Sequence, residues 1–131
     1  MDNNNNRSRM GDSSFKKVFG DSPFIKVMDF LLNTDGNFDY SLTEIAKKSG
    51  ISWATMSSIY KQFIDLGIIK QRRTVGRAKM FVLNVESPMV KVLKTVDDMV
   101  TSLFVEIKLA KMEGKKVKMP SLKLEPMKIK T

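Results

Sequence analysis

The chain has 131 residues, with 23 Lys and Arg against 14 Asp and Glu, and it contains no Cys and no His. This length suits one domain with appendages. Because Cys and His are missing, the composition excludes disulfides, Cys/His zinc sites and catalytic groups of the Ser-His-Asp, Cys-His or HExxH type. We therefore expect no enzyme, no metal site and no cofactor. The formal charge of +9 predicts an acidic partner, for which nucleic acid is the commonest candidate.

The hydropathy of the chain argues against a membrane partner. The predicted helical regions contain no uncharged run near the roughly 18 apolar residues that a membrane span needs. The N-terminal sequence MDNNNNRSRMGDSS has no apolar signal core. We expect a soluble, cytoplasmic, nucleoid-associated protein.

The positive charge is concentrated in two segments. Residues 47–80 hold eight basic side chains and one acidic side chain, and residues 111–131 hold seven Lys and two Glu. Residues 1–46 and 81–110 each hold more acidic than basic side chains. In the C-terminal segment the lysines are typical of a solvated surface. The basic side chains of residues 47–80 need another explanation, because they lie on a recognisable order of predicted helices and strands.

The N-terminal third predicts a loose end followed by helices. Residues 1–13 are Asn-rich and polar, which predicts a disordered tail. An apolar i, i+3, i+4 pattern at residues 15–19 indicates one amphipathic turn. Ser22 and Pro23 suit the N-cap and first position of a helix that ends near Asn33.

A turn at residues 34–37 and a short extended piece at residues 38–40 precede the next helix. That helix begins with a capping box, in which the side chains of Ser41 and Glu44 each accept a backbone N–H of the other residue. It ends at Gly50, a residue that tolerates a left-handed turn.

A third helix and a β-hairpin follow. Ser52 caps the helix, which runs to about Leu66 with one apolar face. Two strands, at residues 68–73 and 79–83, are joined through residues 74–78 with a glycine at the turn. The hairpin carries several basic side chains.

This order of elements resembles a known family. The stretch LTEIAKKSGISWATMSSIYKQFIDLGIIKQRRTVGRAKMFVLN resembles the winged helix-turn-helix of MarR-like and ArsR-like regulators, in particular small archaeal-type transcriptional regulators. The resemblance covers residues 22–85 and implies an α+β domain at residues 14–86, mainly α with a small β-hairpin. It also implies that the recognition helix, residues 52–66, enters a DNA major groove. The basic wing, residues 70–80, would then reach the DNA backbone or the adjacent minor groove.

Two elements carry the expected DNA contacts. The N-terminus of the recognition helix suits phosphate, and its first turns can reach base edges. Arg77 is the strongest single candidate in the wing, because a guanidinium donates several hydrogen bonds at once. The expected DNA-binding residues are Ser52, Trp53, Ala54, Thr55, Ser57, Ser58, Lys61, Gln62, Arg72, Arg73, Thr74, Arg77 and Lys79.

Two of these assignments have alternatives. Trp53 suits either a DNA contact or a cover over the hydrophobic core. The charges of the hairpin could instead serve only to protect its edges from aggregation. We favour DNA contact for the hairpin, because its cations coincide with the recognition helix.

A long helix over residues 87–113 begins at Ser87 and Pro88 and spans roughly 37 Å. It carries a heptad seam, which predicts a homodimer through residues 87–112. The alternative is a helix folded back onto its own domain, but an uncovered stripe of this size favours a second chain. The seam residues are Met89, Leu93, Val96, Val100, Leu103, Ile107 and Ala110.

The resemblance is incomplete at both ends of the chain. MarR-like dimers usually gather helices from both termini, and residues 1–21 supply no more than one turn, so the resemblance does not extend to the inducer pocket of that family. Metal sensing of the ArsR type would need Cys or His. The tail at residues 114–131 alternates Lys and apolar residues. It suits a segment along DNA, a strand added to a protein partner, or a disordered end.

Three functions fit these features. The first is a homodimeric regulator that binds double-stranded DNA at preferred sequences. The second is a DNA-organising protein, or a plasmid or viral maintenance protein, with low sequence specificity. The third is a winged-helix protein-interaction module whose wing and tail bind an acidic protein surface.

Overall fold

The computed structural model describes residues 13–114. The predicted tails at residues 1–13 and 114–131 lie outside this range except for Ser13 and Gly114. The described part of the chain is an α+β domain of five helices and three strands. In chain order they are α1 (Ser14–Phe19), α2 (Pro23–Leu32), β1 (Tyr40–Ser41), α3 (Leu42–Ser49), α4 (Trp53–Asp65), β2 (Ile69–Val75), β3 (Ala78–Leu83) and α5 (Pro88–Met112).

The predicted helix caps are confirmed. The Ser22 hydroxyl accepts a hydrogen bond from the Ile25 N–H, and the Ser52 hydroxyl accepts one from the Thr55 N–H. Gly50 ends α3 in the left-handed region with a φ of 75°. Ser13, which the sequence placed in the disordered tail, instead caps α1, because its hydroxyl accepts the Lys16 N–H.

The sheet is larger than the predicted hairpin. It has three antiparallel strands in the order β1-β3-β2. The predicted extended piece at residues 38–40 forms a strand only from Tyr40, which pairs with Phe81. Strand β1 has only two residues, and its partner β3 lies about 40 residues further along the chain. So short a strand has no periodic pattern of its own, so the sequence did not reveal β1.

The connection at the hairpin tip is shorter than predicted. The prediction joined the strands through residues 74–78, but Val75 pairs with Ala78 and only Gly76 and Arg77 form the turn. Gly76 has a φ of 60°, as the first turn position of a type II′ hairpin requires. Thr74 and Val75 therefore extend β2, in agreement with their β propensity.

One hydrophobic core joins the helices to the inner face of the sheet. The ring of Phe24 stacks on that of Phe63 with 4.5 Å between their centroids. The predicted apolar face of α4 is confirmed, since Met56 and Phe63 are fully buried. Fully buried side chains come from α2, α3, α4, α5 and the chain before β2: Val27, Leu31, Ile45, Met56, Phe63, Ile68 and Val90.

Helix α5 packs on its own domain, against α1 and α2. Seam residues from Leu93 to Ala110 are half-buried in the single chain, and Met89 is 40% exposed. Part of α5 is therefore covered within the single chain, and the pairing of its seam with a second chain stays a prediction. Val90, which lies outside the predicted seam, is the fully buried residue of α5. Among the described residues, no helix is both long and apolar enough to cross a membrane.

Candidate nucleic-acid interface

Helices α3 and α4 are joined by the three residues 50–52. The left-handed Gly50 turns the chain, and the Ile51 N–H donates to the Ala46 carbonyl at 3.0 Å. Ile51 packs against the core, while Ser52 remains exposed at the start of α4. This geometry presents the N-terminus of α4 at the surface, where the Thr55 N–H is bonded to the Ser52 hydroxyl and the N–H groups before it have no acceptor within the helix.

The side chains predicted to contact DNA from α4 lie on its exposed face. Ser52, Trp53, Ala54, Ser57, Ser58, Lys61 and Gln62 are exposed, and Thr55 is half-buried. The indole of Trp53 is 54% exposed. The interpretation that Trp53 covers the core is therefore wrong, and its ring is accessible to a partner.

Several hydroxyls on this face are already bonded to the helix backbone. Ser57 donates to the Ala54 carbonyl at 2.8 Å, and Ser58 donates to the Thr55 carbonyl at 2.7 Å. Hydroxyls that donate backwards along a helix keep only their lone pairs for an outside partner. These two serines therefore have no free hydroxyl hydrogen to donate to an outside partner.

The hairpin presents its cations on exposed strands. Arg77 lies in the two-residue turn at the tip, and Lys79 follows it on β3. Both side chains are exposed, and neither belongs to the ion pairs found within residues 13–114. They can therefore bind an anionic partner. Thr74, two residues before the turn, accepts a hydrogen bond from the Gln71 amide at 3.2 Å.

Arg72 and Arg73 are bonded within the protein. The Arg73 guanidinium donates from Nε and Nη2 to the two carboxylate oxygens of Asp39, at 2.7 Å and 3.1 Å. Arg72 donates to the Asn37 carbonyl at 3.0 Å. The hydrogen bond from Arg73 lowers the pKa of the Asp39 carboxyl, and the same bond raises the pKa of Arg73. Asp39 therefore stays ionised and bonded to Arg73 at neutral pH.

Two lysines join the candidate interface that were not among the residues predicted to contact DNA. Lys47 and Lys48 lie exposed in the last turn of α3, directly before the turn that leads to α4. The Lys48 ammonium lies 5.9 Å from the centre of the Tyr40 ring. Both lysines lie in the basic segment 47–80. The excess of basic side chains in that segment was the feature of the sequence that could have identified them.

Within residues 13–114, no group of three or more His, Cys, Asp or Glu side chains could hold a metal ion. No family model, curated protein or solved structure matches the chain.

Proposed function

We propose that this chain is a winged helix-turn-helix DNA-binding protein that regulates transcription by occupying its site, without a chemical step. The observation that supports this most is the exposed N-terminal half of α4, presented by the Gly50 turn and followed directly by a cationic hairpin. Helix α4 would enter the major groove. Arg77 and Lys79 would contact phosphates or the minor groove. Lys47 and Lys48 would add phosphate contacts beside the turn.

We also propose that the protein acts as a homodimer through α5. Three apolar side chains of this helix remain exposed at i, i+4 and i+7, namely Val105, Leu109 and Met112, at 51%, 48% and 75%. These positions share one face of the helix. A two-fold dimer would offer two recognition helices to half-sites about one DNA turn apart.

A second candidate is a DNA-organising protein with little sequence preference. The hydroxyls of Ser57 and Ser58, bonded back to the helix, favour this candidate, because α4 then offers few donors for base readout. Binding would depend on phosphate contacts and would weaken steeply with salt.

One experiment separates these candidates. The protein is incubated with a pool of random duplexes at physiological salt, and the bound duplexes are sequenced and their stoichiometry measured. An enriched inverted repeat bound by two chains supports the regulator. Binding without enrichment supports the DNA-organising protein. A failure to bind any duplex refutes DNA binding and leaves an acidic protein surface as the partner to test.

A further inference from the structure

The ion pair between Arg73 and Asp39 crosses the sheet. Arg73 pairs in register with Met80, and Met80 pairs on its other side with Ser41. The hydrogen bonds from Arg73 to Asp39 place this carboxylate on the same face of the sheet as Arg73. The ion pair thus connects the edge strand β2 to the segment that precedes β1, across the central strand.

Arg73 itself shields the Asp39 carboxylate, because it binds both of the carboxylate oxygens. The Asp39 side chain is 8% exposed, and Val82, on the same face, is 4% exposed. An Arg73 that swung out to a DNA phosphate would give up two charge-assisted hydrogen bonds to Asp39. The loss of this bidentate contact opposes the transfer of Arg73 to an anionic partner.

The pair also links two parts of the proposed DNA interface. Asp39 lies two residues before Ser41, whose hydroxyl caps α3. Helix α3 leads through the Gly50 turn to α4, while Arg73 lies on the hairpin that carries Arg77. A second contact, from Arg72 to the Asn37 carbonyl, ties the same segment to the hairpin.

We propose that Asp39 is a positioning residue, which holds the hairpin at a fixed angle to α3 and α4 by binding Arg73. Arg73 is then not a DNA contact, although its position in the basic hairpin predicts one. This inference rests on the proposed DNA-binding function. It assigns the DNA contacts of the hairpin to Arg77 and Lys79, and not to Arg73.

The test compares Asp39→Ala, Arg73→Ala and Arg77→Ala. Each variant is titrated with the duplex most enriched in the selection from random duplexes. If none is enriched, a mixed-sequence duplex of about 30 base pairs is used, because this length exceeds the one-turn spacing of two half-sites. The titration is repeated at several salt concentrations. Circular dichroism and thermal melting show whether each variant is folded.

Positioning predicts a distinctive pattern. Arg73→Ala weakens binding about fivefold without changing the log-log salt slope, because every phosphate remains bound. Arg77→Ala makes the slope shallower by about 0.9. Asp39→Ala also weakens binding, although removing an acidic group from a basic surface would by itself strengthen it. The double variant Asp39→Ala/Arg73→Ala is no weaker than either single variant.

Two results would overturn the proposal. The first is a shallower slope for Arg73→Ala, which would make Arg73 a phosphate contact. The second is tighter binding by Asp39→Ala, which would leave Asp39 with a purely electrostatic effect.

Amide hydrogen exchange tests the same ion pair without DNA. In Asp39→Ala, the amides of β2 and β3 should exchange several-fold faster than in the natural protein, while those of the buried half of α4 stay unchanged. Equal exchange in the hairpin would refute the positioning role, even if the natural protein binds no duplex.

Discussion

Ser41 and Glu44 form a reciprocal capping box at the start of α3. The Ser41 hydroxyl accepts the Glu44 N–H at 3.1 Å, and the Glu44 carboxylate accepts the Ser41 N–H at the same distance. The box fixes the first turn of the helix that leads to the candidate recognition helix. Because Asp39 lies two residues before Ser41, the box also fixes the segment that holds Arg73.

Replacing Ser41 with Ala should destabilise the domain by about 1 kcal/mol, because the Glu44 N–H then has no partner. Urea unfolding followed by circular dichroism measures the change. Ser102→Ala, at an exposed position within α5, is the matched control, and it should leave the midpoint unchanged or raise it slightly, because Ala favours the helix more than Ser does. An equal midpoint for Ser41→Ala and Ser102→Ala would show that the box contributes nothing to stability.

Local chemistry explains why the helix boundaries were predictable. Each cap is read from residues within four positions of each other, as for Ser52 with Thr55 and for the left-handed Gly50. Contacts distant in sequence were not predictable in this way. Arg73 and Asp39 are 34 residues apart, and nothing in a basic hairpin indicates that one arginine is bonded to the protein itself.

The same limit applies to α5. Its heptad spacing was readable, and the helix begins and ends close to the predicted residues. The spacing does not say what packs against the helix, and in the structure α1 and α2 pack on part of it. For α4, by contrast, the apolar face was predictable, because the apolar residues at helical spacing include the ones that the core buries, Met56 and Phe63.

A charged substitution on each apolar surface of α5 shows which surface pairs two chains. One surface is the predicted seam, which includes Leu103, and the other is the exposed face that includes Leu109. Leu103 is half-buried in the single chain, whereas Leu109 is 48% exposed. Leu109→Glu should convert a dimer to a monomer and leave the melting temperature of the domain within a few degrees. Leu103→Glu should lower the melting temperature, because it places a charge among packed side chains. Sedimentation velocity and thermal melting give the two readouts.

The outcome also tests the seam predicted from the sequence. Dissociation by Leu103→Glu with an intact dimer in Leu109→Glu would make the seam the interface. If the natural protein sediments as a monomer at micromolar concentration, neither surface of α5 pairs two chains.

The carboxyl of Asp97 predicts a pH effect on stability. Burial raises its pKa above the usual 3.8, and the nearby charges of Asp29 and Asp98 raise it further. The folded chain therefore binds a proton at Asp97 more readily than the unfolded chain does. As pH falls through this raised pKa, Asp97 contributes added stability, and at neutral pH its charge is destabilising.

Asp97→Asn should accordingly stabilise the domain at pH 7, by about 0.5 kcal/mol or less for so accessible a site. The gain should vanish at a pH below the ordinary carboxyl range, where Asp97 is protonated in both states. Urea unfolding at a series of pH values measures it. Glu106→Gln, at an exposed site on the same helix, is the control, and an equal gain there would point to net charge and not to Asp97.

The tip of the hairpin gives the most direct test of the proposed DNA interface. Arg77 is exposed in a two-residue turn and takes no part in the ion pairs of the described residues. Arg77→Ala should weaken binding to every duplex tested and make the log-log salt slope shallower by about 0.9 for each phosphate that the variant no longer binds. Fluorescence anisotropy with a labelled duplex at several salt concentrations measures the affinity and the slope.

Lys91→Ala is the control, because it removes an exposed cation of α5. It should leave the affinity and the slope unchanged. If Arg77→Ala and Lys91→Ala change the slope equally, the protein attracts DNA through its overall charge, and the hairpin tip is not part of the interface.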